Sequence, residues 1–126
     1  MILGCGIDLV YIPRMEQVCQ RWGERFLSRV FTSIERDYCY RHESPFRHLS
    51  GRFAAKEALI KAMGGEEPAR WTEMEVVLRP EGAPEMRVHG RTEQALRERG
   101  VDRVFLSISH DHHYSVAMVC LSASVP

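Results

Sequence analysis

Residues 51–65, GRFAAKEALIKAMGG, decide the fold and contain a contradiction. Ala54, Ala55, Ala58, Leu59, Ala62 and Met63 cover much of a helix circumference, and Phe53 and Ile60 fill further positions. Good helix formers dominate, and Gly64 and Gly65 supply a stop. The pattern predicts a helix from about Leu49 to Met63, buried on most of its sides. Yet the stretch carries Arg52, Lys56, Glu57 and Lys61. At roughly 100° per residue, Glu57 and Lys61 lie about 40° apart on one side, and Arg52 and Lys56 about 40° apart on another. An ion in such a place needs a partner or a ligand, because leaving it alone is costly. The plain reading of Glu57 and Lys61 is an i,i+4 surface ion pair. The sharper reading makes Glu57 a ligand for a hard cation, with Lys61 and Arg52 facing phosphates. Magnesium takes one or two protein carboxylates and keeps waters and substrate phosphate as its other ligands.

Outward from this block, Ile2 to Val10 reads as a strand. Cys5, Ile7 and Leu9 fall on one face; Gly4, Gly6 and Asp8 fall on the other. Two glycines beside a carboxylate predict close approach by another backbone or a ligand. Asp8 is the acid of that strand and the candidate second carboxylate; a cap or turn role is its plain alternative. Pro13 suits the first turn of a helix running to about Val30, which Gly23 kinks or divides. The spacing in TSIE, Thr32–Glu35, is that of a capping box and starts a helix to about His42. HESPFRH reads as a loop or turn around Pro45. Downstream, MEVVLRP and EMRVHG alternate as strands, TEQALRERG is a short helix ending at Gly100, and VDRVFLSISH and YSVAMVCLS are strands joined by DHH. Strand pairs on short turns predict an α+β domain, an antiparallel sheet with helices packed on it, over residues 1–126.

A chain of 126 residues holds one domain with one real core. Its net charge of zero gives no general attraction to nucleic acid or an acidic membrane. Cys5, Cys19, Cys39 and Cys120 are scattered without a CxxC pair, which argues against a cysteine zinc site. Free thiols in a reducing cytoplasm are the expectation. The apolar start, MILGCGIDLV, lacks a preceding basic region and is interrupted by Asp8, so it reads as neither signal peptide nor membrane span. SISH, Ser107–His110, ends a late strand. The histidines of HDHH stand too close together for all to meet one metal from a tight loop.

Together these pieces resemble one family. GIDLV near the start, FTSIE, GRFAAKEALIKAMG in mid-chain and SISH near the end look like holo-[acyl-carrier-protein] synthase, the small bacterial type of 4′-phosphopantetheinyl transferase. The resemblance spans nearly the whole chain, and its mid-chain block is highly specific. It implies the 4′-phosphopantetheinyl transferase fold and transfer of 4′-phosphopantetheine from coenzyme A to a serine of apo acyl carrier protein. The second product is adenosine 3′,5′-bisphosphate. It further implies that Asp8 and Glu57 ligate Mg²⁺, and that the subunits form a homotrimer with active sites between neighbours. On this expectation Asp8, Glu57 and Lys61 are catalytic, Glu57 being the candidate base. Arg52, Lys61, Gly64, Ser109 and His110 contact coenzyme A.

The first helix gains a role from the same resemblance. Arg14, Arg21, Arg25 and Arg29 fall within about an 80° sector of a continuous helix. A solvated face is the plain reading. The resemblance makes these arginines, with Phe26 as an apolar anchor, the docking surface for the acidic carrier protein. A chain that merely docks acidic partners is the alternative; a nucleic-acid role finds no basic-aromatic interleaving. Two departures from the family stand out. The loop after Gly64 is short and carries Glu66 and Glu67, and GAP replaces GKP at Gly82–Pro84.

Overall fold

The computed structural model describes residues 1–65 and 69–124; Glu66 and Glu67 lie outside them. Strand β1 (Ile2–Tyr11) runs antiparallel to β5 (Tyr114–Ser122), and β5 pairs on its other edge with β4 (Arg103–His110). The register sets Gly6 opposite Val119, Asp8 opposite Ala117 and His110 opposite Ser115. β2 (Met74–Leu78) and β3 (Pro84–Val88) form a separate two-stranded hairpin. The single sheet expected from the sequence is therefore two. Side chains including Met86, Val88, Leu96 and Val104 line a cleft where β3 faces β4, and no ladder closes across it.

Helix α1 (Ile12–Trp22) has proline in its first turn, and Gly23 at φ 54° separates it from α2 (Glu24–Val30). The division at Gly23 is as expected. α3 (Ser33–Tyr40) opens on Thr32 with both halves of the capping box in place. α4 spans Pro45–Ala62 and so starts before Leu49. Pro45 does not hold a loop; in the first turn its missing N–H has no helical partner to lose. α5 covers Gly90–Glu98.

α4 lies on the three-stranded sheet, and the glycines of β1 make this possible. A Cβ on Gly6 would stand 1.9 Å from the Ala58 carbonyl oxygen, and one on Gly4 2.3 Å from that of Ala62. The predicted close approach is thus by a helix backbone. Ala54, Ala55, Ala58, Leu59 and Met63 pack there with Ala117, Val119 and Leu121. A second cluster joins Met15, Cys19, Leu27, Val30, Phe31, Cys39 and Leu49.

One charge of the opening contradiction is resolved inside the core. Lys56 is fully buried and donates to the Val30 carbonyl and to Glu35 Oε1, each at 2.6 Å. Glu35 also accepts the Thr32 and Val76 backbone N–H groups, at 3.0 and 2.8 Å. Thr32 Oγ1 donates to Glu75 at 2.6 Å. Burial pulls the Lys56 ammonium below its ordinary value, and the Glu35 carboxylate opposes that pull. A buried pair needs such additional hydrogen bonds to offset its desolvation. It pins α3, α4 and β2 together.

Candidate active site

β1 carries Asp8 along the sheet while α4 carries Glu57 and Lys61 above it. The Lys61 ammonium donates to Asp8 Oδ1 and to the Ile7 carbonyl, both at 3.0 Å. Its observed ion pair is therefore with Asp8, and the i,i+4 pairing with Glu57 is not what the structure places there. Asp8 and Glu57 line one cavity of about 540 Å³, with Arg14, Met15, Val18, Phe53 and Tyr114 around them. Burial raises the Glu57 carboxyl above its ordinary value; the Asp8 charge raises it further and Lys61 works against both. Two carboxylates that repel each other across a cavity favour a cation or a shared proton. Among the described residues no three His, Cys, Asp or Glu side chains gather as a metal cluster. Two carboxylates alone suit an ion that completes its shell with water and phosphate, the habit of Mg²⁺.

The remaining candidates are distributed around this cavity. Ser109 and His110 are exposed at the end of β4 and line an adjoining groove of about 320 Å³. Leu9 and Tyr114 line both spaces and connect them. Arg52 is only 5% exposed, with its guanidinium 4.4 Å from the Tyr38 ring centroid and Nη1 3.4 Å from the His48 carbonyl. Its Nε has no hydrogen-bond partner. Arg52, expected to face phosphates, is packed inward in the single chain. His48 lies beside it; burial, then the charges of His42, Arg52, His110 and Arg47, lower its pKa to about 4. Gly64, at φ 90°, ends α4 beside Arg99 and does not line the cavity. Asp111 is occupied within its loop, accepting the His113 and Tyr114 backbone N–H groups at 2.7 and 2.6 Å.

Of the docking candidates, Arg14 lines the cavity itself. Arg21 is exposed and its guanidinium lies 5.2 Å from the Trp22 ring centroid. Arg25 and Arg29 are exposed on α2, so the single helical sector counted for all four arginines stops at Gly23. Phe26 is half-buried against Phe31 and Phe53, at ring separations of 6.1 and 6.4 Å, and packs on the second core cluster with part of its ring left open. Sequence reasoning missed Tyr38 and His48 around Arg52, and Tyr114 at the junction of the two spaces. The one available signal was the crowding of His42, His48 and Tyr38 with Arg52 at helical spacings.

A family model for the 4′-phosphopantetheinyl transferase superfamily matches residues 4–119. Holo-[acyl-carrier-protein] synthase of Koribacter versatilis is 43% identical over 123 residues, covering 96% of this chain and 98% of the relative. That of Anaeromyxobacter sp. strain K is 41% identical with full coverage of both. The crystal structure of holo-[acyl-carrier-protein] synthase from Neisseria meningitidis superposes with a TM-score of 0.89 at 30% identity, covering 97% of this chain and 99% of that one. The Chronobacterium ammoniagenes ACPS-CoA complex gives 0.84 at 34% identity, covering 97% and 98%. With a cavity bearing Asp8 and Glu57 on this fold, Lys61 paired to Asp8, and matches along almost its whole length, the chain belongs to the 4′-phosphopantetheinyl transferase superfamily, among the holo-[acyl-carrier-protein] synthases.

Proposed function

We propose that this chain moves 4′-phosphopantetheine from coenzyme A to a serine of apo acyl carrier protein, releasing adenosine 3′,5′-bisphosphate. The observation that carries the reading is the meeting of Asp8 from β1 and Glu57 from α4 at one cavity, with Lys61 of α4 paired to Asp8. The serine oxygen forms a bond to the phosphorus that bears pantetheine, and the bond from that phosphorus to the leaving nucleotide oxygen breaks. Such transfers depend on position and charge neutralisation more than on covalent help. Asp8 and Glu57 are the residues that would hold Mg²⁺, and their mutual repulsion fits a divalent ion between them. When bound, the ion neutralises charge on the diphosphate.

This chain's own groups take the other tasks. The raised Glu57 carboxyl is suited to receive the serine proton, directly or through a water. Lys61 is anchored at Asp8 and exposed beyond it, and faces charge gathering on the phosphate oxygens. His110 and Ser109, in the groove beyond Leu9 and Tyr114, supply polar contacts for the nucleotide phosphates. Arg14, Arg21, Arg25 and Arg29 receive the acidic carrier protein.

The reading includes a homotrimer. Outward from the three-stranded sheet, Ile7 and Leu9 are 60% and 61% exposed, and Phe105 and Met118 join them. Large apolar side chains on one face favour cover by further copies. That arrangement would bring Ser109 and His110 to a boundary between subunits. A cytoplasmic location goes with the reading; the cysteines are free thiols.

Intact-mass spectrometry of apo acyl carrier protein, incubated with this chain, coenzyme A and Mg²⁺, tests it. One phosphopantetheinyl group on serine is the expected gain. A carrier protein that keeps its apo mass beside a folded chain that binds coenzyme A would exclude the activity.

A further inference from the structure

Cys19 and Cys39 are buried in the second core, where burial pushes their thiols up to about 11 and about 12. Cys5 and Cys120 are placed otherwise. They stand directly opposite each other in the β1–β5 ladder, with sulfur atoms 3.5 Å apart. Both lie on the sheet face away from α4, since Gly4 and Gly6 meet that helix. Cys5 is exposed and Cys120 half-buried. Opposed residues of an antiparallel pair have Cα atoms about 4.5–5.5 Å apart, inside the roughly 4.4–6.8 Å range of disulfides. A bond of about 2.05 Å is reached by a short movement of the sulfurs.

We propose that Cys5 and Cys120 are an oxidation site, a thiol pair that a peroxide closes to a disulfide within one subunit. The Cys5 sulfur attacks one peroxide oxygen; the O–O bond breaks, water leaves and Cys5 becomes a sulfenic acid. The Cys120 sulfur then attacks the Cys5 sulfur, the S–O bond breaks and a second water leaves. Two thiols are oxidised by two electrons in total, and one peroxide is reduced to two waters. Cys5 reacts first because it is the more exposed of the two in the single subunit. The product staples the first strand to the last, across 115 residues of chain. In the trimer proposed above this face meets other copies, so the free subunit offers the pair most openly.

The full chain is treated with hydrogen peroxide as it stands, and in a second arm is refolded from urea with peroxide present so that subunits pass through the free state. Remaining thiols are then alkylated and the digest is read without reduction. The expected result in at least one arm is a peptide linking Cys5 to Cys120, the loss of two hydrogens from the intact mass, and a monomer-sized band on a non-reducing gel. Cys5→Ser abolishes the link. The linked chain melts higher by roughly 5 °C, and a dithiol reductant reverses the shift. Alkylated Cys5 and Cys120 in both arms, a link between two chains, or a link with unchanged melting each overturns the proposal.

Discussion

Glu57 shows how far a single side chain can be read before folding. Its place on a mostly apolar helix marked it as costly, and burial, with the Asp8 charge second, accounts for the cost. An acid whose value is raised in the folded state contributes stability fully present below its unfolded value, and loses it as pH rises through the folded value. Glu57→Gln imitates the protonated form. Without divalent ions it is expected to melt above the parent chain at pH 7 and level with it near pH 4. Mg²⁺ with coenzyme A should raise the melting temperature of the parent and leave the variant's in place. Equal melting at both pH values would remove Glu57 from the strained pair. Arg52 shows the opposite limit. Its type and helical position suggested a phosphate contact, but nothing local to the sequence specifies that Tyr38 will stack on it. Phe26 carries a contact the sequence did not specify: its ring also rests on Phe31 and Phe53.

At the scale of elements, the capping box at Thr32, the alternation of β1 and the breaker at Gly23 were legible because each rests on neighbours in the chain. The helix start at Pro45 was misread because proline serves a turn and a first helical turn equally well. The split into two sheets depends on whether β3 joins β4, a contact between elements that period-two alternation does not encode. Lys56 with Glu35 is the strongest such case, since 21 residues separate them and both are fully buried. Removing one charge leaves the other unpaired in the core. Glu35→Gln should cost about 3–5 kcal/mol in urea unfolding, and replacement of both by apolar residues of similar volume should recover much of it. A loss within about 0.5 kcal/mol would mean that Lys56 finds water on its own.

For the whole molecule, the strand β1 divides its labour by face. Gly4 and Gly6 admit the backbone of α4, and Asp8 on the same face reaches the cavity. Ile7 and Leu9 point the other way into solvent in the single chain. Alternation made both faces legible, while the purpose of the apolar one came only from family resemblance. Ile7→Asp should leave the circular dichroism of the subunit unchanged, reduce the mass seen by light scattering from three copies to one, and weaken carrier-protein modification. An unchanged assembly would place the subunit contact elsewhere.

The central claim is that Asp8 and Glu57 share one divalent ion. Mn²⁺ in place of Mg²⁺ reports it directly through the electron paramagnetic resonance of the free ion during titration with coenzyme A present. The account predicts one ion per site for the parent chain, and a loss of affinity of about 10²-fold or more for both Asp8→Asn and Glu57→Gln. Parental affinity in either variant would contradict it.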